Sequence, residues 1–292
     1  MAGVGSRARQ VAFFKTSTTA WRPSFCSTYR RGPRYMSCSA KKSKKRSNTG
    51  NGSDGEHGQE ADVITVMRDG SDAWRLDEVA ERISGGEVGI VPTDTYPALV
   101  CDVEHKDAIQ VLYELKRASP KKSMSILVRN MSDISTYTLG FPASRIPGQT
   151  DFYKIAKKIL PGPYTLILPA SKSLPKQIID FDAGKSKKRS TVGVRLVDNI
   201  VCQEILQRLD RPLLCSSAIL PDLREDDGHA SMIPDVGTLS DYYGSRLGFI
   251  VEEDDEYHDA SLSSNEPSTV LDLTQPEIEV VRRGKGPVDW LM

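Results

Sequence analysis

Between residues 62 and 282, apolar positions fall into two patterns that alternate along the chain. Short apolar runs bounded by Gly, Pro or polar clusters have the length of strands. They cover Asp62 to Met67, Val88 to Val91, Met124 to Val128, Tyr164 to Leu168, Val192 to Leu196 and Pro212 to Cys215. Three more follow, Gly248 to Val251, Ser268 to Leu273 and Ile278 to Arg282. Stripes at helical spacing lie between them. Trp74, Val79, Ala80 and Ile83 mark a helix over Ala73 to Ile83, and Ala108, Ile109, Val111, Leu112 and Leu115 mark one over His105 to Arg117. Asp151 to Leu160 and Asn199 to Leu209 read the same way. Gly85-Gly86 and Pro161-Gly162-Pro163 supply stop signals. Lys172 to Lys188 reads as loop or short helix, and residues 222–266 as acidic and irregular apart from the strand at 248–251. Within that stretch, Glu252 to Asn265 has the polarity of an exposed mobile loop. Strands alternating with helices predict an α/β fold, in one domain over residues 61–292.

Charge is distributed unevenly. The chain of 292 residues carries 39 basic and 39 acidic side chains, yet residues 1–50 hold no Asp or Glu, 12 Lys or Arg and 13 Ser or Thr. The remainder therefore has a balance of −12. A basic, hydroxyl-rich, acid-free leader without an apolar core has the composition of an organelle transit peptide. The hydroxyls and the small-residue run Ser37 to Ala40 favour a chloroplast over a mitochondrion. A basic tail that binds nucleic acid is the competing reading of Lys41 to Arg46. Residues 1–60 are assigned to leader and linker. No apolar run approaches the ~18 residues of a membrane span. Cys101, Cys202 and Cys215 stand singly among apolar neighbours, which predicts buried thiols and no disulfide framework.

The candidate chemistry sits at strand ends. Val91 is followed at once by Pro92, Thr93, Asp94 and Thr95, where open α/β sheets hold ligands. Lys116, Arg117, Lys121 and Lys122 crowd one short loop before Ser125, a charge density that an anion would relieve. Arg195 is a lone cation in an otherwise apolar strand, so it needs an acidic partner or a ligand. Ser216, Ser217, Ser268, Thr269 and Arg283 complete the set. A nucleotide-binding P-loop is excluded because Ile179 occupies the position of its first glycine. The four histidines are scattered, which argues against a zinc site or a histidine triad. Electrostatic catalysis on a phosphorylated substrate remains.

These residues lie in motifs that resemble the YrdC/YciO family, proteins similar to threonylcarbamoyl-AMP synthases. The motifs are Gly86-x-Val88-x-x-Val91-Pro92-Thr93-Asp94-Thr95, Lys116-Arg117, Pro161-Gly162-Pro163-x-Thr165-Leu166, Val192-Gly193-Val194-Arg195, Ser216-Ser217-Ala218 and Pro267-Ser268-Thr269-Val270-x-Asp272, with Arg283 closing the series. The resemblance implies a twisted mixed α/β sheet with helices around a large, positively charged cavity. It implies ATP, L-threonine and bicarbonate as substrates, Mg²⁺ arriving with the nucleotide, and a product passed to a transferase that modifies tRNA adenosine. Lys116, Arg117 and Arg195 would then be catalytic. Thr93 and Thr95 would line the threonine side, with Lys122, Ser125, Ser216, Ser217 and Arg283 toward the nucleotide.

Three departures resemble the YciO branch: Lys-x-Arg is replaced by Lys116-Arg117-Ala118, Ser-x-Asn by Ser217-Ala218-Ile219, and Tyr-Gly-Leu-Gly by Tyr96-Pro97-Ala98-Leu99. The alternative expectation is a nucleotide-binding or RNA-binding protein of the same fold, recognising tRNA or double-stranded RNA, with weak or no synthesis. A third is a non-catalytic protein whose acidic 222–266 segment recruits a partner.

Overall fold

The computed structural model describes residues 61–117, 124–142, 151–175, 178, 190–223, 229–230, 232–254 and 266–291. The leader and Lys122 lie outside these residues, as does most of the 172–188 segment. Ten strands form one sheet: β1 (Asp62–Met67), β2 (Gly89–Val91), β3 (Ala98–Asp102), β4 (Ser125–Leu127), β5 (Tyr164–Pro169), β6 (Thr191–Arg195), β7 (Leu213–Ser217), β8 (Phe249–Asp254), β9 (Thr269–Asp272) and β10 (Glu279–Arg282). Their spatial order is β1-β8-β2-β3-β7-β4-β6-β5-β9-β10. The helices whose limits fall among the described residues are α1 (Leu76–Ser84), α2 (Lys106–Leu115), α3 (Met131–Tyr137), α4 (Phe152–Ile159), α5 (Ile200–Gln207) and α6 (Val236–Tyr243). None of the described helices is long and apolar enough to cross a membrane.

Nine of the strands occupy the apolar runs, and β1 has the expected limits. Two corrections concern segments that lack a strong pattern. Ala98–Asp102 is a strand, fully buried between β2 and β7. Residues 222–266 are not irregular throughout, because they contain α6. There Asp235 caps the helix by accepting a hydrogen bond from Thr238 N (2.8 Å), and Leu239 and Tyr243 enter the core. The strand expected at 248–251 continues to Asp254, through part of the segment expected to be mobile. The short helix α3 was also unforeseen. It is capped by Asn130, which accepts from Asp133 N.

Strand alternation divides the core between the two faces of the sheet. Ile90, Leu99, Cys101, Ile126, Leu166, Val194 and Leu214 point to one face, where α2, α4 and α6 pack. Val91, Ala98, Val100, Leu127, Leu213 and Cys215 point to the other, beneath α1 and α5. On this second face the apolar cover ends at the middle of the sheet. Ser125 lies two residues before Leu127 and Ser217 two after Cys215, so the same face turns polar toward β6, β5, β9 and β10.

All three described thiols are buried and free. Burial raises Cys101 and Cys202 well above the ordinary thiol value of 9.0, and pushes Cys215 up to about 11, partly offset by Arg195. A thiol whose folded pKa exceeds its unfolded value contributes stability fully below the unfolded value and loses it as pH rises toward the folded one. Stability is therefore expected to decline between pH 9 and 11, with Cys215 accounting for about 2 kcal/mol by the end of that window. Denaturant melts of the wild type and Cys215→Ala at pH 8 and pH 10.5 check this. The variant should show the smaller alkaline loss.

Candidate active site

The polar half of that face is a cleft of about 260 Å³. Its floor is built from residues two apart on neighbouring strands: Ser125 on β4, Gly193 and Arg195 on β6, Thr165 and Ile167 on β5. Cys215, Ser216 and Ser217 on β7 form one wall, and Ser268, Val270 and Arg282 form the other. Gly193 is required by the close approach of its neighbours. A Cβ there would lie 2.5 Å from Ser125 Oγ and 3.2 Å from Thr165 Cγ2. Thr165 and Ser268 share a buried hydroxyl–hydroxyl hydrogen bond of 2.8 Å.

Arg195 is the centre of the arrangement. Its side chain is 8% exposed, and Nη2 donates to Asp94 Oδ1 and to Thr95 Oγ1, both at 2.8 Å. Asp94, 6% exposed, also accepts from Asp198 N at 3.1 Å. The loop after β2 therefore folds across the strand ends to meet β6. That loop is braced internally. Thr93 Oγ1 donates to Tyr96 O (2.7 Å) and accepts from Thr95 N (3.1 Å). Arg195 Nε is buried without a partner among the described residues. An unsatisfied N–H on a buried guanidinium is costly unless something fills its hydrogen bond.

Other expected residues fall in different places. Lys116, at the end of α2, donates through Nζ to the carbonyl of Ser217 and, at 3.4 Å, to that of Ile219. It thus braces the turn that carries the wall serines of the Arg195 cleft. Arg117 is exposed, takes a positive φ of 45°, and lays its guanidinium over Tyr242 with 5.4 Å to the ring centre. It is outside the cleft lining, as is the exposed Arg283. The arginine that lines the cleft is Arg282, which donates through Nη2 to Ser268 O at 2.8 Å.

A β-bulge accounts for this one-residue offset. β10 pairs Val280 with Leu271 but Arg282 with Val270, so Val281 is an extra residue, 53% exposed. The bulge brings Arg282 opposite Val270 on the cleft face. Sequence reading also missed Lys285, whose Nζ donates to Asp94 O at 2.9 Å. It missed the role of Asp94 as the partner of Arg195 as well. Among the described residues no group of three His, Cys, Asp or Glu is placed to hold a metal.

A protein-family model for Sua5, YciO and YrdC, described as "Telomere recombination", matches residues 81–284. The chain belongs to the Sua5/YciO/YrdC family. Among curated relatives, Escherichia coli YciO, described as uncharacterized, is 27% identical over 213 residues, which are 73% of this chain and 90% of that protein. Human threonylcarbamoyl-AMP synthase is 28% identical over 207 residues, 70% of this chain and 65% of that protein. The crystal structure of E. coli YciO matches with a TM-score of 0.64 at 24% identity, covering 80% of this chain and all of that one. Sua5 of P. abyssi, solved with L-threonine, matches with a TM-score of 0.58 at 21% identity, covering 76% of this chain and 57% of that one. These structures share the fold, and the ten-stranded sheet with its helices is therefore the YrdC fold.

Proposed function

We propose that the protein is a threonylcarbamoyl-AMP synthase, making the adenylate from L-threonine, bicarbonate and ATP for tRNA modification. The observation that carries the reading is the buried Arg195, held by Asp94 and Thr95 in the lining of a cleft that also gathers Ser125, Ser216, Ser217 and Arg282. In the proposed reaction, the carbamate formed from threonine and bicarbonate attacks the α-phosphorus of ATP. The bond to the bridging oxygen breaks, and pyrophosphate leaves with that electron pair. Arg195 brings its guanidinium charge to the developing phosphoryl charge, where preorganised charge is most effective. Ser125, Ser217 and the Thr165–Ser268 pair offer hydroxyls to the nucleotide. Lys116 keeps the Ser217 turn in place. Asp94 is committed to Arg195, so Mg²⁺ arrives as the cation of the nucleotide substrate. Delivery to a chloroplast by residues 1–60 belongs to the same proposal.

One observation favours a second reading, a nucleotide- or RNA-binding protein without synthesis. Ile219, at the position of the Asn in the Ser-x-Asn pattern, is 3% exposed and packs with Tyr96 and Ala230 in an apolar cluster, so it offers the cleft no polar group. ATP–pyrophosphate exchange by the full chain separates the two readings. Exchange that requires both threonine and bicarbonate supports synthesis. ATP binding without exchange under those conditions overturns it and supports the second reading.

A further inference from the structure

The C-terminal loop after β10 is clamped to Thr269, the first residue of β9, and to Pro267 just before it. Gly284 N donates to Thr269 Oγ1 at 3.0 Å, Lys285 N donates to Pro267 O at 2.9 Å, and Thr269 Oγ1 donates to Gly286 O at 2.7 Å. Both glycines are needed for this fit. A Cβ on Gly284 would lie 2.1 Å from Pro267 O, and one on Gly286 would lie 2.5 Å from the Tyr164 ring. Two glycines thus fix the backbone on either side of a single lysine.

The direction in which that lysine reaches is unusual for the topology. β10 is the last strand of the sheet, and seven inter-strand steps separate it from β2. At about 4.8 Å per step that is roughly 34 Å along a flat sheet. Yet Lys285 Nζ lies 2.9 Å from the carbonyl of Asp94, in the loop that follows β2. The two loops therefore meet at Asp94, the residue that also pairs with Arg195. Asp94 is gripped twice: its carboxylate by Arg195, its carbonyl by Lys285.

We propose that Lys285 is a positioning residue for this site, holding the Asp94 carbonyl so that Thr93, Thr95 and the Asp94 carboxylate stay aligned with Arg195. The contact is between an ammonium and a neutral carbonyl, and it is supplied by a segment on the far edge of the sheet. Loss of the lysine should loosen one loop and leave the sheet and the phosphate-facing serines as they are. The ligand part of the test rests on the synthase reading; the loop part does not.

The experiment uses the full chain as wild type, Lys285→Ala and Lys285→Arg. Hydrogen exchange without ligand is read over peptides spanning residues 93–99. Exchange about tenfold faster in Lys285→Ala, restored in Lys285→Arg, supports the proposal, and unchanged exchange in Lys285→Ala overturns it. Calorimetry is then run separately with L-threonine and with ATP. Threonine binding weakened about tenfold with ATP binding within twofold supports positioning on the threonine side. Equal weakening of both ligands with a lowered Tm and no rescue by Arg overturns it in favour of a general structural role. If the wild type binds neither ligand, the synthase reading fails and the exchange result still decides the role of Lys285.

Discussion

Replacing Arg195 by alanine is expected to cost about 3–5 kcal/mol of stability and about 100-fold or more in adenylate formation. The first figure follows from removing one member of a buried ion pair. Asp94 would keep the Asp198 amide but lose its cation in a place where its side chain is only 6% exposed. The second is the usual loss when an aimed donor to a developing charge is deleted. The two effects separate in a double variant. Arg195→Met with Asp94→Leu replaces both partners by apolar side chains, so much of the stability should return, while synthesis should stay lost. Urea melts and exchange assays on the wild type and the two variants check this. Full activity in Arg195→Ala, measured where it is folded, would remove Arg195 from the mechanism.

Gly89→Ala should be among the most destabilising changes available with a single methyl group. Gly89 pairs directly with Phe249 on β8, whose fully buried ring lies across the glycine beneath Arg82. A Cβ would stand 2.1 Å from the ring Cζ, so the ring or a strand must move. Overpacking of this kind costs about 1–3 kcal/mol. At about 2–4 °C per kcal/mol for a domain of this size, Tm should fall by up to roughly 10 °C. Phe249→Leu alone should also lower Tm, by leaving a cavity. Combined with Gly89→Ala it should cost less than the two changes summed, because each relieves the other. Strict additivity in thermal melts of the four proteins would show that the ring does not pack against Gly89.

Arg195 was legible in the sequence because a single cation in an apolar strand has few explanations. Its partner was not: Asp94 lies 101 residues away, and periodicity says nothing about which loop folds over which strand end. The strand ends carrying Ser125, Ser216 and Ser217 were readable from where apolar runs stopped, and the cleft gathers all three. Arg282 was hidden by the bulge at Val281, since alternation counted from Val280 assigns the wrong face. Lys285 follows the last strand and has no pattern of its own. The strand Ala98–Asp102 was obscured by Pro97 and the polar cluster before it. The helix Val236–Tyr243 holds a Gly, a Thr and two adjacent Tyr, residues of modest helix propensity, and depends on the Asp235 cap and core contacts.

The insertion of β8 between β1 and β2 has a consequence for biosynthesis. A nascent chain leaving the ribosome exposes the unpaired edges of β1 and β2 until residues 249–254 emerge, when most of the polypeptide has been made. Closing such distant pairings is slow, so the sheet is completed late in translation or after release. Through that interval the apolar edges of both strands are open to chaperones and to self-association.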